Sequence, residues 1–265
     1  MGRVLFVTGF KGGVGKTTVA ANVASSLRAL GARVLLIDGD FGMRCLDMVL
    51  GLESETLFDC SDILRGSCAA TAAMTEVRGD SGFAFIPAPM NYGGEVFPPE
   101  SYAELIAGVR GDFDYVIIDS CAEATDYYIS FARQADEAVI VTLHQSTSVR
   151  AAEKTATRLN ALGVKRLSLV VNGYRELCAE SGELPDIPGI IDRSSVRLLG
   201  VVPFDGGLQP SQEKAELAFA GDRRKKATPY EAAFFNIASR LRGKRVRLFE
   251  GVGNPMRRSR YFSNK

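Results

Sequence analysis

The chain has 265 residues, of which 46% are hydrophobic and 24% are charged, and its formal net charge at pH 7 is +1. This length fits one large α/β domain or two small ones, and the composition is that of an ordinary globular protein with a full core. The near-zero charge argues against a global attraction to nucleic acid or membrane. No apolar run approaches the roughly 20 residues of a transmembrane helix.

Short apolar runs alternate with helical patterns along the chain. The runs are apolar on both faces, as buried parallel strands require. The predicted strands cover residues 4–8, 33–38, 83–88, 115–119, 138–143, 167–172 and 198–203. The predicted helices cover residues 17–30, 99–111, 147–162 and 228–242. This alternation predicts an α/β fold with a doubly wound, mostly parallel sheet and helices on both faces.

The domain organisation follows from the absence of a linker or an internal repeat. Residues 1–243 are predicted to form a single domain, with residues 244–265 as a basic C-terminal tail. Within the domain, residues 173–195 contain Gly, Pro and Ser with mixed charge, which predicts an irregular insertion.

The cysteine spacing and the N-terminus bear on the compartment. Five scattered cysteines form no CxxC or CxC pair, which argues against a zinc or iron–sulfur site and favours free thiols in a reducing cytosol. The apolar run near the N-terminus is too short for a secretory signal. We therefore expect a cytoplasmic protein. The cysteines are Cys45, Cys60, Cys68, Cys121 and Cys178.

The segment GFKGGVGKTT (9–18) joins the first predicted strand to the first predicted helix. A glycine-rich turn in this position is the context of a phosphate-binding P-loop, although Phe10 stands where the strict pattern has glycine. Backbone N–H groups would hold the phosphates, Lys16 would add a positive charge, and the Thr17 hydroxyl would bind Mg²⁺. The alternative is a glycine-rich turn without a function. The predicted nucleotide-binding residues are Gly12, Gly13, Val14, Gly15, Lys16, Thr17 and Thr18.

KGGVGKTT (11–18) resembles the deviant Walker A motif of the MinD/ParA family of ATPases. This resemblance implies a P-loop NTPase fold like that of the nitrogenase iron protein, with ATP and Mg²⁺ as cofactors. It also implies an ATP-dependent homodimer in which Lys11 of each subunit enters the other's site, the part that an arginine finger plays elsewhere. A cation delivered only in the dimer would make hydrolysis depend on assembly. The alternative is a solvated loop lysine.

Two further segments resemble the switch regions of that family. LLIDGDFGMRCLDMVLG (35–51) is similar to the MinD switch I, which implies that Asp40 orients the attacking water and that Asp38 supports the Mg²⁺ shell. The alternative for this aspartate pair is a turn or a helix N-cap. YVIIDSCAEA (115–124) is similar to Walker B and switch II, which implies that Asp119 holds Mg²⁺, usually through water.

The switch II segment departs from the family pattern. Cys121 replaces a proline and Glu123 replaces a glycine whose N–H contacts the γ-phosphate in the family. We therefore expect that hydrolysis is slow or that γ-phosphate sensing is altered. A redox or metal role for Cys121 would need a partner cysteine nearby in the sequence, and there is none.

Adenine recognition is expected at the ends of two late strands. LVVNGY (169–174) and GVVPFD (200–205) lie where the family reads the base, so the resemblance assigns this role to Asn172, Pro203 and Phe204. An Asn amide matches the N6 and N7 atoms of adenine. The alternative is that Asn172 is an ordinary strand-end turn residue.

Two segments bear on macromolecular partners. STSVRAAEK (146–154) resembles the family's dimer and partner surface, with Ala151 in place of an acidic residue, so a protein partner that stimulates hydrolysis is expected. The lone His144 lies just before this segment and is expected to be a hydrogen-bonded or exposed surface residue. The basic tail occupies the position of the lipid-binding segment of MinD proteins, which implies a possible anionic membrane surface.

Three functions compete at this stage. The first is a membrane-associated, MinD-like switch that positions the division septum or another cell structure. The second is a ParA-like partitioning ATPase whose tail and RRKK (223–226) contact DNA. The plainer interpretation of RRKK is a solvated turn, and the tail is equally compatible with a solvated, disordered chain. The third is an electron-transfer ATPase like the nitrogenase iron protein, which needs paired cysteines that the spacing does not supply.

Overall fold

The computed structural model describes residues 1–218 and 227–248. The strands in these ranges are β1 (Arg3–Thr8), β2 (Val34–Gly39), β3 (Thr75–Glu76), β4 (Phe83–Ile86), β5 (Tyr115–Ser120), β6 (Glu137–Leu143), β7 (Leu167–Tyr174) and β8 (Arg197–Pro203). The first five helices are α1 (Lys16–Ala29), α2 (Leu46–Leu50), α3 (Cys60–Leu64), α4 (Pro99–Val109) and α5 (Asp126–Ala132). The others are α6 (Ser146–Ala161), α7 (Glu176–Glu180), α8 (Ile187–Ser194), α9 (Leu208–Glu213) and α10 (Pro229–Leu241). None of the helices in these ranges has the length and apolar composition that a membrane span needs.

The strands form one eight-stranded sheet in the order β3-β4-β2-β5-β1-β6-β7-β8. Every strand pair is parallel except β3 with β4. The short β3 is an edge strand that the sequence pattern did not predict, because two residues carry no periodicity. The prediction of a doubly wound, mostly parallel sheet is confirmed.

Two hydrophobic cores cover the two faces of the sheet. Along β1, Val4 and Phe6 pack into one core while Leu5 and Val7 pack into the other, because side chains alternate across a strand. Helices α1 and α10 belong to one face, and α4, α5, α6 and α8 belong to the opposite face. Both faces are therefore buried, which explains why the strands are apolar throughout.

Residues 173–195 are not an irregular insertion, so that prediction is wrong. Strand β7 continues to Tyr174, and the segment then forms α7 and α8. The Asp186 carboxylate caps α8 by accepting a hydrogen bond from the Gly189 N–H at 2.9 Å. Asp186, together with Pro188 in the first turn, is a helix start signal that the composition of the segment obscured.

The chain after α10 runs back onto the domain. Gly243 has φ +80°, and Arg240 then donates a hydrogen bond to the Val246 carbonyl at 2.9 Å. Leu248 is buried in the core. The boundary at residue 243 stays a prediction. The remainder of the predicted tail and the RRKK run lie outside the described residues.

The contact between Gly200 and α10 gives a test of this packing. A Cβ atom at Gly200 would lie 2.3 Å from Cγ1 of Ile237, which is itself buried. We expect Gly200→Ala to lower the free energy of unfolding by about 1–3 kcal/mol, because an overpacked core must shift. Urea denaturation measures this change.

Gly108 supplies the matched control, because a Cβ there meets nothing within 4 Å and the residue lies inside α4. Gly108→Ala should leave stability unchanged or raise it by up to about 1 kcal/mol. Equal effects of the two substitutions would contradict the tight fit of α10 against β8.

Candidate functional site

Three adjacent strands carry the predicted site residues to one edge of the sheet. In the register of the sheet, Asp119 of β5 lies between Val7 of β1 and Asp38 of β2. Both carboxylates therefore reach the carboxyl ends of the strands, next to the loop that follows β1. This edge is where ligands bind in open α/β sheets. Gly39 is required in the same place, since a Cβ atom there would lie 2.6 Å from the Asp119 carbonyl oxygen.

The loop after β1 is open on its outer side. Gly13 and Gly15 have φ of +74° and +90°, a left-handed conformation that favours glycine. Cβ atoms at Gly12 and Gly13 would meet nothing within 4 Å. Helix α1 begins at Lys16 without a side-chain cap and without an acidic residue in its first turn. Its first N–H groups are therefore left for an anion.

Phe10 shows why the loop departs from the strict P-loop pattern. Its backbone N–H donates to the Thr155 hydroxyl at 3.1 Å, and its ring lies 5.4 Å from the ring of Tyr128. Both neighbours belong to helices on one face of the sheet. This loop position is anchored to the protein and does not need to be glycine.

Asp119 is a buried carboxylate with an unsatisfied oxygen. It is 1% exposed, and its Oδ1 has no hydrogen-bond partner among the described residues. Burial raises the pKa of Asp119 to about 7, against the opposing effects of a hydrogen bond from Thr17 and the charge of Lys16. An orphaned carboxylate oxygen beside a threonine hydroxyl and a lysine fits a site for Mg²⁺ and a phosphate.

Asp38 closes the loop that follows β2. Its Oδ1 accepts the Asp40 N–H at 3.0 Å and its Oδ2 accepts the Leu46 N–H at 3.1 Å. Burial, and next the charge of Asp119, raise the pKa of Asp38 well above its usual range. The Asp40 carboxylate in turn accepts the N–H groups of Gly42 and Met43, each at 3.2 Å.

Arg44 lies in the loop between β2 and α2, after Asp40. The sequence patterns assigned it no role. Its φ is +44°, which is unusual for a residue with a side chain. Its guanidinium donates to Asp47 at 2.7 Å and to the Thr56 hydroxyl at 3.0 Å. The ion pair is nearly buried, with Arg44 9% and Asp47 4% exposed. This pair holds the strained backbone in place.

Lys11 does not join the other site residues. Its ammonium donates to the hydroxyls of Thr147 and Ser148 at 2.9 and 3.0 Å, and to the Gln145 amide oxygen at 3.4 Å. These groups are neutral and surround the start of α6. A cation at a helix N-terminus is at the unfavourable end of the helix dipole. The contacts therefore hold Lys11 weakly.

The residues predicted to read adenine lie at the ends of β7 and β8. The Asn172 amide donates to the Val14 carbonyl at 2.9 Å, so Asn172 packs against the glycine loop. Phe204 is 57% exposed, with the Arg175 guanidinium 4.0 Å from its ring centre, and Pro203 is half-buried at the end of β8. Adenine binding by these three residues stays a prediction.

Thr18 forms a hydrogen bond with a residue that the sequence did not indicate. Its hydroxyl donates to the Gln212 side chain of α9 at 2.8 Å. No motif marks Gln212, because the contact joins residues 194 positions apart.

The altered switch II segment is ordered by its own side chains. The Cys121 thiol is buried and donates to the Glu123 carbonyl, with a sulfur–oxygen distance of 3.1 Å. Burial raises the pKa of Cys121, so the thiol remains neutral. The Thr125 hydroxyl caps α5 by accepting the Tyr128 N–H at 3.2 Å. Glu123 is exposed and lies in the loop that joins β5 to α5.

His144 is hydrogen-bonded and not exposed. It is 3% exposed, its Nε2 accepts the Arg175 N–H at 3.2 Å, and its ring lies 4.9 Å from that of Tyr174. Burial lowers the pKa of His144, so the imidazole stays neutral and links the ends of β6 and β7.

The parallel sheet, the glycine loop and the uncapped start of α1 define a P-loop nucleotide-binding protein. The model of the CobQ/CobB/MinD/ParA nucleotide binding domain matches residues 5–217. The chain belongs to this family, and the predicted MinD/ParA resemblance is confirmed.

Relatives agree with this assignment. A septum site-determining protein MinD from Synechocystis sp. is 33% identical over 246 residues, which span 93% of this chain and 91% of the relative. The MinC:MinD cell division protein complex of Aquifex aeolicus contains a chain that matches with a TM-score of 0.84 and 28% identity, over 92% of this chain and 97% of that one. MinD of Pyrococcus horikoshii, solved with Mg-ADP, matches with a TM-score of 0.78 and 24% identity, over 91% and 96% of the two chains.

The orphaned carboxylate predicts a pH-dependent stability. Because the pKa of Asp119 rises from its ordinary value to about 7 on folding, the folded chain keeps the proton that the unfolded chain loses. The contribution of Asp119 to the free energy of unfolding is thus largest below about pH 4 and is lost as the pH rises towards 7. We expect Asp119→Asn to stabilise the nucleotide-free protein by about 1–3 kcal/mol at pH 8, and by less at pH 5.

Urea denaturation at the two pH values measures the difference. Asp112→Asn changes an exposed aspartate and should alter neither value by more than about 0.5 kcal/mol. A loss of stability at pH 8 in Asp119→Asn would show that the carboxylate is satisfied in the folded protein.

Proposed function

We propose that this chain is a MinD-like ATPase that dimerises on Mg-ATP, binds a membrane surface and partner proteins, and is released by ATP hydrolysis. Its role would be the positioning of the division septum or another cell structure, in the cytoplasm and at the inner face of the cell membrane. The similarity to septum site-determining proteins supports this role.

One observation carries the proposal: the two lysines of the glycine loop point to different places. Lys16 is buried beside Asp119, whereas Lys11 is half-exposed and lies on α6. A loop that binds only the nucleotide of its own chain needs Lys16 but has no use for Lys11. Lys11, which is held only by neutral groups, is available to the phosphates of another subunit.

The chain's own residues suit the binding of Mg-ATP. The N–H groups from Gly12 to Thr18 would surround the phosphates, with Lys16 as the charge partner of the β- and γ-phosphates. Thr17 and Asp119 would hold Mg²⁺, and Asp38 would support its water shell. When bound, Mg²⁺ neutralises phosphate charge and orients the triphosphate. The Mg-ADP in the Pyrococcus horikoshii structure supports these cofactors.

Asp40 would orient the attacking water. Its carboxylate is fixed by the N–H groups of Gly42 and Met43 and by a loop that Asp38 closes, so it is positioned before a nucleotide arrives. The hydrogen bond from Cys121 to Glu123 favours a switch II that moves little. Slow hydrolysis in the absence of a partner is therefore part of the proposal.

The proposal also includes a protein partner and a membrane surface. MinD of Aquifex aeolicus was solved in a complex with MinC, which supports a protein partner for this chain. The basic tail, which lies outside the described residues, is the proposed membrane contact. A ParA-like ATPase that binds DNA is the alternative function.

The dimer depends on Lys11 and on bound ATP. We expect Lys11→Ala to keep ATP affinity within a few-fold of wild type and to abolish the ATP-dependent dimer, because the cation is supplied across the interface. Calorimetry measures ATP binding, and light scattering measures the dimer.

Two variants bracket this result. Lys16→Ala should lose both ATP binding and the dimer, since the phosphates lose their charge partner. Lys214→Ala, an exposed lysine that follows α9, should lose neither. An ATP-dependent dimer that survives in Lys11→Ala would contradict the role of Lys11.

The surface is tested by co-sedimentation of the full chain. With ATP, we expect binding to phosphatidylglycerol vesicles that is weaker with ADP and lost when residues 249–265 are removed, because dimerisation doubles a weak anchor. Binding to duplex DNA that falls steeply with salt, without vesicle binding, would support the ParA-like alternative.

A further inference from the structure

The two edges of the sheet differ in charge. The loops at the edge where the strands begin contain nine Lys or Arg and four Asp or Glu, counted over residues 30–33, 79–82, 110–114, 133–136, 162–166 and 242–248. The loops at the nucleotide edge contain three Lys or Arg and four Asp or Glu, counted over residues 9–15, 40–45, 87–98, 121–125, 144–145, 175 and 204–207. The chain as a whole has a net charge of only +1. Positive charge is therefore concentrated at the edge opposite the nucleotide.

A cavity of about 490 Å³ opens at this positive edge. The residues that line it include Gly2, Arg3, Arg110, Asp136, Lys165 and Arg166. Four cationic side chains thus face one carboxylate in a single concave site. The cavity is large enough for a phosphate group with several waters, since one water occupies about 30 Å³ of liquid.

The inner wall of the cavity is fixed by satisfied ion pairs. Arg110 donates to Asp136 at 2.9 Å and to the Gly2 carbonyl at 3.0 Å. The Asp136 carboxylate also accepts the Val4 N–H at 2.8 Å. Arg3 pairs with Glu137, which is buried beneath it. The one lining carboxylate is thereby committed to Arg110 and a backbone group.

Lys165 and Arg166 supply the uncompensated charge. Both are exposed, and neither forms an ion pair within residues 1–218 and 227–248. Their backbone is rigidly placed, because the Arg166 carbonyl accepts the Ala138 N–H at 2.9 Å as β7 begins beside β6. Two free cations on a fixed backbone favour an anionic ligand.

The segment that follows α10 begins at the same edge. Arg3 donates to the Leu241 carbonyl at 2.7 Å, so the end of α10 adjoins the start of β1. Four basic residues follow within residues 242–248. The cavity and the base of the proposed membrane-binding tail therefore form one continuous positive surface. Two copies that meet through their nucleotide edges would leave it uncovered.

We propose that this edge is a docking surface for anionic lipid headgroups, with the cavity between Arg110 and Lys165–Arg166 as a phosphate-binding pocket. The inference rests on the proposed membrane function and assigns part of that binding to the folded domain. Lys165 and Arg166 contact the headgroup phosphate, and Arg3 and Arg110 form the floor of the pocket. The tail then supplies only part of the attachment.

The test is co-sedimentation of the full chain, with ATP, on phosphatidylcholine vesicles with and without phosphatidylglycerol. A basic residue near an anionic surface contributes about fivefold in affinity, so Lys165→Gln with Arg166→Gln should weaken binding to the anionic vesicles about 30-fold at low salt. The matched control is Arg193→Gln with Lys214→Gln, which removes the same charge from exposed positions away from the cavity. The control should bind as the wild type does.

The outcomes separate this inference from the function on which it rests. Wild-type vesicle binding that the Lys165 and Arg166 variant retains in full would overturn the pocket and leave the tail as the sole anchor. No vesicle binding by the wild type would overturn the membrane function itself, and the pocket with it. ATP-dependent dimers in both double variants, measured by light scattering, exclude misfolding as the cause of a loss.

Two further arms address other anions. Inorganic phosphate is titrated while the Lys165 and Arg166 resonances are followed by NMR, and duplex DNA replaces the vesicles in a parallel sedimentation. Phosphate or DNA binding that depends on Lys165 and Arg166, together with unchanged vesicle binding in their variant, would assign the surface to those anions and overturn the lipid proposal.

Discussion

A buried carboxylate with one unsatisfied oxygen, at the end of β5, is the constraint around which the site is built. Asp119 is buried between β1 and β2, and its free oxygen is costly until a cation approaches. The uncapped start of α1 carries the opposite deficit, a set of N–H donors without acceptors. A magnesium-bound phosphate would satisfy both at once. The same geometry explains why the glycine loop, Thr17 and Lys16 must follow a strand that is the direct neighbour of β5.

Several residues around this edge of the sheet fix the loops that form the site. Gly39 lets β2 approach β5, Phe10 ties the loop to α6, and Arg44 fixes the turn after Asp40. Lys11 is the exception, because neutral groups at a helix N-terminus retain a cation poorly. The site therefore combines a group of residues that meet within one chain with one lysine that lies outside that group, held only by neutral side chains. That division matches an enzyme whose activity would depend on a second copy.

Much of the fold followed from the sequence because its signals are local. Apolar runs gave seven strands to within a few residues, and the glycine loop placed the site before any contact was known. Short elements were missed where no period develops, as in β3, or where Gly, Pro and Ser obscured a helix start signal, as in α8. Long-range contacts were missed for a different reason. The pairing of Thr18 with Gln212 and of Lys11 with α6 depends on how the elements pack, which spacing along the chain does not encode.

The double use of the Asp38 carboxylate has a mechanical result. By joining residue 40 to residue 46, it turns the intervening stretch into a closed ring whose circumference is set by one side chain. A displacement of this one carboxylate would therefore act on both ends of the stretch, and loss of either hydrogen bond would open the ring. Because Leu46 is the first residue of α2, a shift of Asp38 at the site would be passed directly to the start of that helix.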